Sequence, residues 1–451
     1  MNKKKTVITY GTYDLLHQGH INLLKRAKEL GAYLIVGVTN DHFDRERGKL
    51  NVFNNVLERV EAVKSTGLAD KIIIEDYFGQ KIDDIQKYNV DIFAIGSDWE
   101  GKFDYLKEYC EVVYLPRTEG ISSTQLRTES RRALRVGIAG CGRIANRFVP
   151  EAAFVSGIEI AGAFDNEPEK SKAFVERYGL ETAYPTFTGM ADDVEAIYIA
   201  TPHESHYSLI KEALLAGKHV LCETPMVLNG DQAEELYSLS RQMGVVLMEA
   251  NKTAFCPAFN HLMAMIKSGA IGEVVDVEAS LSKLLADKSL REFDKGQAGG
   301  SMYELASYPL LPIIKLLGTE YNTLSMCSRM ENGVDIFTKG SMLYPTATCS
   351  FKLGLGVKTE GNLVISGTKG YAYVEAPWWK TSYFELRYED INQNKRYFYK
   401  WDGDGLRYEI QEWLVCIFSN RAHSLRFSDR DSIAMARIMQ KFAERKNFTE
   451  I

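Results

Sequence analysis

Short apolar runs separated by segments of helical period organise the first half of the chain. Thr6-Val7-Ile8-Thr9-Tyr10, Tyr33-Leu34-Ile35-Val36-Gly37-Val38, Lys71-Ile72-Ile73-Ile74, Val90-Asp91-Ile92-Phe93-Ala94-Ile95 and Glu111-Val112-Val113-Tyr114-Leu115 read as strands. Between the first two, Ile21, Leu24, Ala27 and Leu30 recur on one face of a predicted helix. Alternating strands and helices predict a parallel sheet with its sites at the carboxyl ends of the strands. A second series follows at Leu134-Arg135-Val136-Gly137-Ile138, Ile158 to Phe164, Ala196 to Ala200, His219-Val220-Leu221 and Val245 to Met248. From about Val274 the runs alternate apolar and polar, as in Val275-Asp276-Val277-Glu278-Ala279-Ser280 and Thr346 to Phe351, predicting a mostly antiparallel sheet with one covered face. Aromatic residues crowd between Tyr371 and Trp401, and a last amphipathic helix begins near Asp429.

The polar stretch Arg127 to Arg132 lacks Gly and Pro and reads as a short linker. The expected organisation is an α/β domain over 1–127, a linker over 128–133, a second α/β domain over 134–252 and an α+β domain over 253–451. A length of 451 residues is more than one core normally organises. With 54 Lys+Arg against 60 Asp+Glu and no long basic run, the charge balance argues against nucleic acid as the main partner and favours small anionic metabolites. The seven cysteines are scattered without a Cys-x-x-Cys pair, which argues against a disulfide framework and a zinc site. The apolar stretch after Lys5 is one strand long, too short for a secretory signal, and no run is long enough for a bilayer. A reduced, cytoplasmic protein with no membrane partner is expected.

Candidate chemistry begins where the first strand gives way to a helix, at Gly11-Thr12-Tyr13-Asp14-Leu15-Leu16-His17-Gln18-Gly19-His20. His17 and His20 fall one turn apart on one face, beside the free N–H groups of a helix start. Those groups and the helix dipole attract phosphate, and Gly19 lets a ligand approach. Such a site stabilises charge on a nucleotide's phosphates while a phosphate nucleophile displaces pyrophosphate, without a covalent intermediate.

Two further motifs follow in order, Gly96-Ser97-Asp98-Trp99-Glu100-Gly101-Lys102-Phe103-Asp104-Tyr105-Leu106 and Arg117-Thr118-Glu119-Gly120-Ile121-Ser122-Ser123-Thr124. With all three, roughly the first 127 residues resemble the cytidylyltransferase family, its glycerol-3-phosphate members most closely. The resemblance implies that His17, His20 and Arg117 act on the triphosphate, with Ser122, Ser123 and Thr124 at the phosphates. It places Gly11, Thr12, Tyr13, Asp14 and Gly19 around nucleotide and metal, Lys49 and Arg59 as further basic contacts, and Asp98 and Trp99 near nucleotide or acceptor. It also implies CTP with Mg2+ and a polyol phosphate as partners. Arg47-Gly48-Lys49 stands where the family often has a lysine pair, which leaves the acceptor open.

The second series carries its own glycine-rich turn, Gly137-Ile138-Ala139-Gly140-Cys141-Gly142-Arg143-Ile144-Ala145. Gly140-x-Gly142-x-x-Ala145 between strand and helix suits a dinucleotide's pyrophosphate. Asp165 ends the next strand, 25 residues after Gly140, placed to accept from a ribose 2′-hydroxyl and to repel a 2′-phosphate. Asn166 rather than Arg follows it, so NAD(H) is expected over NADP(H).

Further on, Ala200-Thr201-Pro202-His203-Glu204-Ser205-His206, Glu223-Thr224-Pro225 and Gly299 to Tyr308 resemble the glucose-fructose oxidoreductase and inositol dehydrogenase family over roughly residues 133–451. By that resemblance Gly140, Cys141, Gly142, Arg143, Ile144, Asp165, Thr201, Pro202, His206, Glu223 and Thr224 would surround the cofactor. Glu304 would be the family's later acid and Tyr308 its proton-transfer residue. The family's tripeptide is usually Glu-Lys-Pro; here Thr224 replaces the lysine that would lower a tyrosine's pKa. Three readings follow: Lys252 reaches the same space, Thr224 orients water and substrate in an unusual reductase, or catalysis is lost and the domain binds or oligomerises. Lys252 could equally be a solvated strand-end lysine, and Tyr308 a core aromatic next to Pro309.

The expected fold class is thus a Rossmann-like nucleotidyltransferase domain, a Rossmann NAD-binding domain and an α+β domain with a large mostly antiparallel sheet. The expected function couples reduction of a small phosphorylated carbonyl to cytidylyl transfer onto the resulting polyol phosphate, in a homo-oligomer. Alternatives are reduction of the CDP-linked product, and a transferase beside an inactive domain.

Overall fold

The computed structural model describes residues 5–14, 16, 18–40, 43, 54, 56–77, 79–116, 133–155, 157–401 and 403–451. His17, Lys49, Arg117, Ser122, Ser123, Thr124, the side chain of Asp98 and most of the expected linker lie outside the described residues. The chain divides into two compact units, residues 1–130 with 260–270, and residues 131–259 with 271–451.

In the first unit a five-stranded parallel sheet is built from β1 (Thr6–Gly11), β2 (Tyr33–Thr39), β3 (Lys71–Glu75), β4 (Ile92–Gly96) and β5 (Glu111–Leu115). Their order is β3-β2-β1-β4-β5, so the chain reverses its direction of growth between β1 and β4. The loops leaving those two strands therefore open a crevice at the carboxyl edge. Helix Gln18–Glu29 follows β1, with Leu24 and Ala27 fully buried as the period required. Ile8, Ile35, Phe93, Ile95 and Leu106 form part of the core beneath.

The second unit begins with a six-stranded parallel sheet: β6 (Leu134–Ala139), β7 (Ile158–Phe164), β8 (Thr182–Ala183), β9 (Ala196–Ile199), β10 (His219–Glu223) and β11 (Leu247–Ala250). The order β11-β10-β9-β6-β7-β8 puts its reversal between β6 and β9. The strand read at Val245 to Met248 starts two residues later and runs to Ala250, which carries its carboxyl end toward Lys252.

A nine-stranded sheet follows, from β12 (Val274–Ser282), β13 (Thr323–Glu331), β14 (Val334–Leu343), β15 (Thr348–Gly354), β16 (Leu363–Gly367), β17 (Tyr371–Val374), β18 (Tyr383–Arg387), β19 (Lys395–Phe398) and β20 (Phe448–Glu450). Its order is β19-β18-β17-β16-β12-β15-β14-β13-β20; β12 pairs parallel with β15 and β13 with β20, and the other neighbours are antiparallel. Along β14 buried and exposed positions alternate as an antiparallel sheet covered on one face requires. Trp378 is fully buried and its indole donates to the carbonyl of Ser280 at 2.8 Å, which makes it part of the core. The final helix, Asp429–Ala443, starts at Ser428 with a reciprocal capping box to Asp431.

Candidate functional sites

Thr12, Tyr13 and Asp14 leave β1 buried, and Tyr13 adopts a left-handed backbone with φ of 53°. That turn lays the Tyr13 ring edge-on to His20, with centroids 5.5 Å apart, in the first turn of helix Gln18–Glu29. Asp14 accepts from the backbone N–H of Asn54 at 2.7 Å. Arg59 is fully buried, and its guanidinium donates to the carbonyls of Asn54 at 2.9 Å and of Thr12 and Thr39 at 2.7 Å each. The bonds to Thr12 and Thr39 fasten the ends of β1 and β2 together, from a position on helix Val56–Ser65. Across the crevice, β4 leads into a short helix Ser97–Trp99; Trp99 tilts against Phe103 and Lys102 lies 5.1 Å over the Trp99 ring. Gly11 to Asp14 and Gly96 to Trp99 thus follow adjacent strands at one carboxyl edge, with a helix that starts at Gln18 after the first.

In the second unit, Gly140 leaves β6 with φ of 92°, and a Cβ there would lie 2.7 Å from the carbonyl oxygen of Ala200, at the end of β9. Only glycine lets the two loops of the crevice close this tightly. At Gly142 a Cβ would meet nothing within 4 Å, so the backbone is open to an approaching ligand ahead of helix Ala145–Ala152. Asp165 accepts from the N–H groups of Cys141 and Glu167, both at 2.9 Å, one per carboxylate oxygen. Each oxygen keeps a second lone pair for a ribose hydroxyl. These features fit a dinucleotide cofactor. His206 is fully buried, its ring nitrogens 2.8 Å and 3.1 Å from the carbonyls of Thr201 and Pro225, so it braces the loops after β9 and β10 instead of facing a ligand.

The chemistry-bearing residues gather where β10 and β11 end. Thr224 donates its hydroxyl to Glu249 at 2.7 Å, and Glu249 also accepts from the N–H of Met226 at 3.1 Å and from the Ser432 hydroxyl. Burial pushes the Glu249 carboxyl up from the usual range. Glu223 accepts from the Tyr198 hydroxyl, and burial raises its carboxyl to about 7. Burial also holds the Tyr308 phenol far above its ordinary value, with the charges of Glu223 and Glu409 adding to the shift. Glu409, 1% exposed on helix Leu406–Phe418, was not singled out by sequence; a glutamate inside an apolar helical stretch was the available signal.

Glu304 stands one turn before Tyr308. Its Oε1 is 2.9 Å from Arg291 Nη1 and 3.8 Å from His203 Nδ1, and burial presses His203 down to about 3, so its ring is neutral. Arg291 too went unrecognised, because its partner lies thirteen residues along the chain in no regular spacing. A bound nicotinamide would supply hydride here. In this setting the Tyr308 phenol stays protonated under the charges of Glu223 and Glu409.

Two enzyme classes are defined by these folds and edges, and residue patterns agree. Residues 8–129 match the family described as cytidylyltransferase-like, residues 134–251 the oxidoreductase family with an NAD-binding Rossmann fold, and residues 259–373 the GFO/IDH/MocA C-terminal domain. The chain belongs to both families, joining a glycerol-3-phosphate cytidylyltransferase-like domain to GFO/IDH/MocA oxidoreductase domains.

Among particular relatives, glycerol-3-phosphate cytidylyltransferase of Bacillus spizizenii is 52% identical over 125 residues, 28% of this chain and 96% of that protein. Trans-1,2-dihydrobenzene-1,2-diol dehydrogenase of Sus scrofa is 31% identical over 254 residues, 55% of this chain and 76% of that protein. The fold is shared with the 3-ketoreductase KijD10 of Actinomadura kijaniata, solved with NADP and TDP-benzene, at TM-score 0.63 and 22% identity over 71% of this chain and 99% of that one. No helix among the described residues is long and apolar enough to cross a membrane.

Proposed function

We propose that the chain makes a CDP-activated polyol in two steps. Residues 134–451 reduce a small phosphorylated ketone or aldose with NADH, and residues 1–127 transfer cytidylyl from CTP, with magnesium, to the polyol phosphate so formed. In the first step hydride adds to the carbonyl carbon and a proton to its oxygen, leaving NAD+. In the second the polyol's phosphate oxygen attacks the α-phosphorus of CTP and pyrophosphate departs. The observation that carries the reading is the fusion itself. A domain 52% identical to a glycerol-3-phosphate cytidylyltransferase needs an alcohol phosphate, and a carbonyl reductase on the same chain can supply one.

Glycerol phosphate or a close relative is the leading acceptor, and its CDP product would feed a teichoic-acid-like or capsular polymer. His17, His20 and Arg117 act on the triphosphate, with Ser122 to Thr124 at the phosphates. Asp165 favours NADH over NADPH through its negative charge beside the ribose. The protein works as a homo-oligomer. One observation favours a second reading, a transferase with an inactive partner domain: the usual lysine is Thr224, whose hydroxyl is tied to Glu249.

The test is a mass-spectrometric assay of CTP, magnesium, NADH and dihydroxyacetone phosphate, beside a control with glycerol 3-phosphate and no NADH. CDP-glycerol in both is expected. Product in the control alone supports the second reading for this substrate, and product in neither discards the acceptor.

A further inference from the structure

We infer that Lys252, at the start of the short helix that follows β11, supplies the ammonium that the related oxidoreductases place at the position of Thr224; the inference rests on the reductase reading above. Thr224 itself brings no charge and its hydroxyl proton is committed to Glu249. β10 and β11 pair in parallel with Glu223 opposite Ala250. The chain therefore leaves β10 at Thr224 and β11 at Asn251 and Lys252 side by side, on the same carboxyl edge. Asn251 is fully buried and donates its side-chain amide to the carbonyl of Ser307 at 3.1 Å. Lys252 and Tyr308 are the next residues on either side of that bond.

The short helix Lys252–Phe255 packs on helix Leu406–Phe418, which brings Glu409 to the same place. The Lys252 charge favours the ionised forms of both Glu223 and Glu409, and both carboxylates act on the Tyr308 phenol, as do the Cys256 thiol and the Arg143 guanidinium. Two acids from different elements thus feel one ammonium, and the same two acids act on one phenol. In reduction the phenol O–H breaks as the alcohol O–H forms, and the phenolate left behind stands beside the ammonium until it regains a proton from solvent. The phenol feels two carboxylates against the single Arg143 guanidinium, and a second cation evens that balance.

The full-length protein tests this with two readouts. For turnover, Lys252→Ala is expected to lower kcat for NADH-dependent carbonyl reduction by about a hundredfold, in the range of a lost proton-transfer group. Adding Thr224→Lys to Lys252→Ala restores the ammonium from the family's usual position and recovers most of that loss. A double variant no faster than Lys252→Ala overturns the inference.

The second readout needs no substrate. Both carboxyls sit above their ordinary range in the folded state, so they weaken the fold as pH rises and not below about pH 4, the ordinary carboxyl value. Removing Lys252 deepens that weakness. Lys252→Met is expected to melt near the parent temperature at pH 5 and well below it at pH 8, and adding Glu409→Gln recovers most of the difference. A melting deficit independent of pH removes Lys252 from between the acids. If the parent protein turns over no carbonyl compound, the reductase reading falls, while the melting series still decides where the ammonium lies.

Discussion

Thr224 gives its hydroxyl hydrogen bond to Glu249 at 2.7 Å, so the residue that replaces a lysine serves a buried carboxylate. Glu249 is 3% exposed and takes two more donors, from Met226 and Ser432. Thr224→Val deletes one of three and leaves the carboxylate short, at about 1–3 kcal/mol. The Glu249 carboxyl is raised in the folded state, so its ionisation weakens the fold only as pH climbs above the ordinary carboxyl value. The loss from Thr224→Val should therefore be smaller at pH 5 than at pH 8. Urea unfolding at the two pH values checks this; equal losses would mean that Thr224 acts by packing alone.

The two glycines of the cofactor turn should fail in different ways. At Gly140 an added Cβ meets the Ala200 carbonyl and the backbone is left-handed, so Gly140→Ala strains the fold and lowers its melting temperature. At Gly142 the same methyl points into open space, so Gly142→Ala should melt like the parent while its NADH affinity drops about tenfold, because pyrophosphate approach is blocked. Calorimetry and NADH fluorescence titration separate the two effects. Unchanged NADH binding in Gly142→Ala would put the pyrophosphate elsewhere.

Both parallel sheets were legible because strand and helix periods alternate cleanly and each first turn carries its glycines. The mixed sheet was legible as alternation, but not its two parallel pairings, since pairing partners such as β12 and β15 are set by long-range packing. Residues of the site within one turn of a motif, such as Thr224 and Tyr308, could be named in advance. Glu409 and Arg291 could not, because what makes them matter is a contact across more than one element. His206 and Arg59 carried the reverse lesson: expected at ligands, they are fully buried and bonded to backbone carbonyls, bracing the loops that a ligand would touch.

Arg59 should accordingly behave as a structural residue of the transferase. Arg59→Met leaves the carbonyls of Thr12, Thr39 and Asn54 without this donor inside the fold. Each unsatisfied buried group costs about 1–3 kcal/mol, so the first unit should lose much of its stability along with CDP-polyol formation. Arg59→Lys keeps the charge but cannot reach three acceptors in a fork, and should rescue little. Limited proteolysis with cytidylyl-transfer assays checks this; a stable, inactive Arg59→Met protein would return Arg59 to the phosphates.

Tyr308 stands among acids that hold its phenol protonated, and this sets a direction for proton flow. A protonated phenol can donate to a carbonyl oxygen in reduction, whereas alcohol oxidation needs the same group as a base. Reduction should therefore persist through pH 9 with no limb from the phenol, and oxidation of the matching alcohol with NAD+ should be slow and rise with pH. One limb is expected near pH 7, where Glu223 ionises: the new negative charge holds the phenol proton more tightly, so kcat falls as pH rises through that value. Glu223→Gln, assayed at saturating NADH, should remove the limb, and Tyr308→Phe should abolish reduction while NADH still binds and cytidylyl transfer continues. A pH profile of kcat from 5 to 10 on the three proteins decides it. Reduction surviving in Tyr308→Phe would assign the proton to another group.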